Sequence, residues 1–240
     1  MSSLKQIKFY AVSGCLFLAA ANAFAQPIVY TSTEYTTFAS IDLGSDTSGL
    51  LSKINPPDPL PLLSSAVLAD SGNSSSASGS ANTGQLDVST EAVSSNLFSV
   101  ATAGAGFSGR FTGTGQRVDF MIDYGTSDDS FGGLGGSQLF VTLLSNGVTL
   151  FDQTFSDSAL IQQSFILSSG STNLFDIQLI SNAEADGDVN NIILGSNIAS
   201  AAFSINAAPV PEPGMIWLML GGLGLLAIKA RRKTSGSINK

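Results

Sequence analysis

No histidine occurs in the 240 residues, and the one cysteine, Cys15, lies in an N-terminal apolar stretch. Zinc, copper and haem sites therefore lose their usual ligands in the body of the chain, and Ser-His-Asp or Cys-His catalysis loses its base. Disulfides are excluded there for the same reason. Positive charge is almost as scarce: between residues 26 and 208 the cations are Lys53, Arg110 and Arg117 against seventeen carboxylates, net −14. A surface so negative repels nucleic acid and anionic membranes, which excludes nucleic acid as a partner. Tryptophan is confined to Trp217, and tyrosine in the same span to Tyr30, Tyr35 and Tyr124. A strong aromatic platform for stacking sugar faces is therefore missing. What remains is carboxylate and hydroxyl oxygen, which suits hard cations such as Ca²⁺ or carboxylate-only acid/base work.

The two ends of the chain read as addresses. Residues 1–25 open with Lys5 and Lys8, continue as an apolar stretch from Phe9 to Ala21, and finish Ala23-Phe24-Ala25 before Gln26. That is the pattern of a secretory signal peptide cut after Ala25. Val12-Ser13-Gly14-Cys15 has the form of a lipoprotein box, but the apolar stretch continues past Cys15, which favours the plain signal. At the other end, Val210-Pro211-Glu212-Pro213-Gly214 precedes an uncharged apolar run from Met215 to Ile228, followed by Lys229, Arg231, Arg232 and Lys233. The fifteen residues from Gly214 to Ile228 would span about 22 Å as a helix against a hydrocarbon core of about 30 Å. The stem of Lys229 can extend that reach, giving a transmembrane helix over 214–230, and the cations place residues 234–240 in the cytoplasm. The body of the chain then lies outside.

The order of tripeptide, Gly/Leu-rich helix (Leu220-Gly221-Gly222-Leu223-Gly224-Leu225-Leu226) and basic end closely resembles the PEP-CTERM sorting signal of Gram-negative bacteria, over residues 209–233. The resemblance implies a precursor held transiently in the inner membrane. An exosortase-type protease then cuts near Pro211-Glu212-Pro213 and delivers the body to the cell surface or medium. It also implies an association with exopolysaccharide and biofilm. The same tail is called an ice-binding protein C-terminal domain, but a shared sorting tail carries no activity to the domain ahead of it. The body has no regular Thr-rich repeat that a flat ice-binding face would need.

Residues 26–208 suffice for one domain with a real core. Strand-like composition runs from Val29 to Asp42, and period-2 alternation marks Phe98 and Val100, then Val118, Phe120, Ile122 and Tyr124, then Leu139, Val141 and Leu143. Asn146-Gly147 between two such runs predicts a type I′ hairpin. Further runs are 163–167, 175–179 and 199–205. The prolines between Asn55 and Pro61 and the Ser/Gly/Asn/Ala tract from Ser71 to Gly84 predict a loop over 54–84, because neither has the amides or apolar bulk of a buried strand. The whole predicts an all-β, antiparallel, jelly-roll-like β-sandwich, flanked by the signal peptide and the C-terminal transmembrane helix.

Two acidic groups are candidate sites. Asp186, Asp188 and Asn190 reproduce the first three alternating oxygen ligands of a Ca²⁺ loop, but Asn191 and Asn197 stand where such loops need Gly and Glu. A solvated turn, or a weak structural calcium site, is the expectation. Asp123, Asp128 and Asp129 are placed at a strand end and in a turn from Tyr124 to Gly136, where turn formation and solubility account for them better than catalysis. The composite expectation is a non-enzymatic, exported surface or extracellular-matrix protein. The alternatives are a carbohydrate-binding module, weak or calcium-assisted, and a glycoside hydrolase using carboxylates alone.

Overall fold

A computed structural model describes residues 26–44, 46–54, 60–70, 72–187 and 191–208. The predicted signal peptide, Cys15 and the segment from 209 onward, with its predicted transmembrane helix, lie outside the described residues. Among those described, no helix is long and apolar enough to cross a membrane.

The described chain is an all-β, antiparallel sandwich of two sheets. Its strands are β1 (Gln26–Pro27), β2 (Ser32–Leu43), β3 (Asp46–Ile54), β4 (Leu62–Asp70), β5 (Asn73–Asn82), β6 (Gln85–Ser94) and β7 (Phe98–Thr112). They continue as β8 (Arg117–Asp128), β9 (Leu134–Ser145), β10 (Val148–Phe155), β11 (Ala159–Ile166), β12 (Thr172–Asp186) and β13 (Ile193–Ala208). The first sheet runs β11-β8-β13-β6-β5-β4, with β1 beside the end of β13; the second runs β10-β9-β12-β7-β2-β3. From β6 onward the chain changes sheet at every connection except the β9–β10 hairpin, so β6-β13-β8-β11 faces β7-β12-β9-β10. The β2–β3 hairpin widens the second sheet, and β4 and β5 widen the first.

The alternation read in the sequence is the alternation of burial. Val118, Phe120, Ile122 and Tyr124 of β8 point inward, as do Leu139, Val141 and Leu143 of β9 and Phe175, Ile177 and Leu179 of β12. Their rings and branched chains form the core, in which Phe175 lies against Phe107, Phe120 and Phe203. Asn146 and Gly147 carry φ of 50° and 79°, the two positive values a type I′ turn demands.

The expected loop over 54–84 is corrected by β4 and β5, which fill most of it. β5 is an internal strand, between β4 and β6. Its inward residues are small, and their polar atoms find partners within the sandwich: Ser75 bonds Ser99 of the second sheet, and Asn73 is bonded by Ser94. Thr37 of β2 and Ser64 of β4 make the same kind of contact at 2.7 Å. At Gly79 an added Cβ would collide with the Gly104 carbonyl oxygen of the opposite sheet. A tract with too little apolar bulk to bury itself is buried here by close approach of backbones and by hydroxyl pairing, which composition does not reveal. The turn expected from Tyr124 to Gly136 is likewise shorter, because β8 continues to Asp128 and β9 begins at Leu134.

Candidate functional site: two sheet faces and two poles

The register defines two poles. At one, Gln26 pairs with Ala207, Arg117 with Ala208, and Ser32 with Arg110. The residue after the predicted signal cut, Ala23-Phe24-Ala25, therefore lies beside the last strand before residue 209. The sorting residues Val210 to Gly214 and the basic residues Lys229, Arg231, Arg232 and Lys233 fall outside the described residues, as do Ala23 and Ala25. At the other pole lie the loops that cross between the sheets after β6, β8 and β12.

On the outer face of the first sheet, a depression of ≈ 330 Å³ crosses β4, β5, β6 and β13. Register fixes its rows: Ser200, Asp87, Ser80 and Leu63 stand side by side, and Ile198, Ser89, Ser78 and Ser65 form the next row. It lies over β5, where Gly79 brings the two backbones together. Hydroxyls repeat at the strand spacing of about 4.8 Å, and Leu63 and Ile198 supply aliphatic surface at either side. Asp87 is the carboxylate in the lining, accepting a hydrogen bond from Gln85 Nε2 at 2.9 Å. Such a surface can exchange hydrogen bonds with a neutral hydroxylated ligand; it offers no cation to an anionic one.

On the outer face of the second sheet, the register aligns Asp152, Thr142, Asp176, Ser108 and Glu34 across five strands. Thr142 donates to Asp152 at 3.2 Å. Burial raises the pKa of Asp176; a hydrogen bond from Ser108 opposes the shift, and the charge of Glu34 adds to it. Sequence reading missed this row because its members are far apart in the chain; the signal was only that each occupies an outward position of an alternating strand.

The acidic residues singled out from sequence are not assembled into one site. Asp123 lies mid-strand on β8, exposed, and Asp128 ends the same strand, roughly 17 Å away at the rise of an extended chain. That exceeds the carboxylate spacing of glycoside hydrolases. Asp128 accepts the amide of Ser130 at 2.9 Å, and the Asp129 amide donates to Ser196 at 3.3 Å, so both shape a turn. Asp186 ends β12, while Asp188 and Asn190 lie outside the described residues. Among the described residues no group of three or more His, Cys, Asp or Glu is placed to hold a metal ion.

The segment that follows β13 carries a family match. Residues 209–233 match the PEP-CTERM protein-sorting motif. The PEP-CTERM motif implies a membrane-anchored precursor, processed by an exosortase and exported to the cell surface. It covers only the tail and assigns nothing to the sandwich. The sequence matches none of the curated proteins. Among solved structures, the chain is similar to TmCBM61 in complex with β-1,4-galactotriose, with 6% identity and a TM-score of 0.25 over 60% of this chain and 86% of that one. It is also similar to the GH31 α-xylosidase of Xanthomonas citri, with 10% identity and a TM-score of 0.21 over 77% of this chain and 19% of that one. A third likeness is to the infectious bursal disease virus Gx strain structure, with 10% identity and a TM-score of 0.23 over 80% and 59%. Scores this low carry no functional argument.

Proposed function

We propose that this chain is a non-enzymatic, exported surface or extracellular-matrix protein, associated with exopolysaccharide or biofilm, whose residues 26–208 form a jelly roll delivered by an exosortase. The observation that carries this reading is the sorting motif at 209–233, directly after a sandwich whose buried core, among the described residues, runs from Tyr35 to Ile205. A domain that holds its own core needs nothing from the tail once the tail is cut away. The signal cut after Ala25, the transient membrane hold by Met215 to Ile228 and the cytoplasmic basic end belong to the same reading. Mass spectrometry of the protein from its host, with and without the sorting protease, tests it. The expected mature chain begins at Gln26 and ends near Val210 to Gly214 in the intact host, and keeps its tail when the protease is deleted. A tail retained in both strains refutes exosortase sorting.

A second reading is favoured by one observation, the hydroxyl-lined depression on the first sheet: the domain binds a neutral extracellular polysaccharide there. Serine rows and aliphatic edges would meet the hydroxyls and C–H faces of a sugar without ring stacking, so the affinity is expected to be weak. A glycan array run with and without Ca²⁺ checks it, and separates a calcium-assisted mode through Asp186, Asp188 and Asn190 from a calcium-free one. Asp87→Ala is expected to reduce binding to neutral glycans at least tenfold. Binding unchanged by Asp87→Ala and by Ser80→Leu places any glycan elsewhere.

A further inference from the structure

The two poles of the sandwich carry unlike surfaces. At the pole of the crossing loops, Leu97, Phe98, Phe131, Leu134 and Ile192 are between 41 and 75 % exposed. They come from the β6–β7, β8–β9 and β12–β13 connections, which are lateral neighbours because β8, β13 and β6 are adjacent in one sheet and β9, β12 and β7 in the other. The patch is held in shape: the Phe131 amide donates to Leu194 at 2.7 Å, and the Leu194 amide returns the bond at 3.0 Å. Around it stand Asp128, Asp129, Glu184 and Asp186, and none of the described lysines and arginines of residues 26–208 lies at this pole.

The strand register carries the backbones of all three cationic residues of that span toward the opposite pole. Arg117 is paired with Ala208, Arg110 with Ser32 and Lys53 with Thr36. Exposed aliphatic residues accompany them: Val29, Val148 after the hairpin turn, and Ile166, which pairs with Arg117. Five exposed apolar residues gathered at neighbouring connections of one pole are the kind of surface that marks an interaction site, whereas single exposed residues such as Val29, Val148 and Ile166 are ordinary.

We propose that the sandwich associates head to tail with further copies of itself, the acidic apolar pole of one copy seating on the cation-bearing pole of the next. Charge decides the pairing. A symmetric contact between two acidic poles sets Asp128, Asp129, Glu184 and Asp186 against their equals, which is repulsive, whereas the opposite pole carries Arg110 and Arg117, the latter in an exposed pair with Asp119 at 2.9 Å. Because two different surfaces meet, the contact does not close on itself, and repetition extends a filament along the strand axis. This goes beyond the sorting reading and stands independently of it, since every residue invoked lies within 26–208.

The test uses the segment 26–208, which contains the whole described core, in analytical ultracentrifugation up to about 100 μM, a range that reads any Kd tighter than that. Wild type is expected to form species larger than dimers that grow with concentration. Phe131→Asp with Ile192→Asp, and separately Arg117→Glu with Ile166→Glu, are each expected to remain monomeric with an unchanged circular dichroism spectrum. An equimolar mixture of the two variants retains one intact contact and is expected to stop at the dimer. A wild type that stays monomeric overturns the proposal, as does a folded acidic-pole variant that still assembles, or a mixture that stays monomeric or grows past the dimer. If the double substitution at the acidic pole does not fold, Leu134→Asp reads the same contact.

Discussion

The sandwich is built in two ways along its width. Around β8, β9, β11 and β12 the sheets are held apart by large side chains: Phe120 touches the rings of Phe151, Phe165 and Phe175, and Ile122, Leu139 and Leu179 fill the space between. Around β2, β5, β6 and β7 small residues, Ala39, Ala77, Ala92, Ala101, Ala103 and Ala105, share the interior with Ile41, Leu43, Leu86 and Val88, and Gly79 lies against the Gly104 carbonyl with hydroxyls bonded across the gap. Both sides remove apolar area from water; the second adds close backbone approach and polar pairing. The two join through a buried chain of hydrogen bonds. It runs from Thr90 to Ser181 at 2.8 Å, on to Asn197 at 2.9 Å, then to Thr126 at 3.2 Å, Ser137 at 2.6 Å and Tyr124 at 2.8 Å. A core need not be uniformly greasy to be closed, provided its polar atoms are paired.

That contrast can be broken from either side. The largest effect is expected in the aromatic half: Phe175→Ala removes a fully buried ring touching three others and should cost about 3–5 kcal/mol in urea unfolding. Next, Gly79→Val forces a side chain into the opposite backbone and should cost about 1–3 kcal/mol, while Ser78→Val on the outer face of the same strand stays within about 0.5 kcal/mol. Equal tolerance at both positions would mean that the sheets do not meet at Gly79.

Smaller effects sharpen the polar side. Ser64→Ala leaves the buried Thr37 hydroxyl unpaired and should cost about 1–2 kcal/mol; adding Thr37→Val should recover part of that loss, giving a coupling energy of about 0.5 kcal/mol or more. The smallest concerns the acidic row on the second sheet. Because burial raises the pKa of Asp176 in the folded state, the native protein binds the extra proton between the ordinary aspartate range and the raised value, and stability falls as pH climbs through that window. Asp176→Asn is therefore expected to raise the melting temperature at neutral pH, with the gain fading as pH drops below the usual carboxylate range. A gain that grows on acidification would reverse the assigned sign.

Much of the aromatic half is legible in sequence. Val118 to Tyr124 and Leu139 to Leu143 alternate large apolar and other residues, and Asn146-Gly147 names its own turn. The small-residue half is not, because composition registers only that Ser74, Ser75, Ser76, Ser78 and Ser80 are polar; it cannot register Ser99 waiting on another strand to accept or donate a bond. The same limit hid both candidate surfaces. Leu63, Ser80, Asp87 and Ser200 become one row only when β4, β5, β6 and β13 lie side by side, and Asp152, Asp176 and Glu34 are joined by register alone.

By itself the sequence determined the sorting motif, the class of fold and the absence of imidazole from every site. A linear signal is read by length, hydropathy and a short motif, and an absent histidine is absent in any conformation. Only the tertiary structure decided which serines are interior, which carboxylates share a face, and that Arg110 and Arg117 stand at one pole and the exposed rings at the other. Those facts depend on strand order and register, which arise from contacts between residues distant in the chain, and no local pattern encodes them.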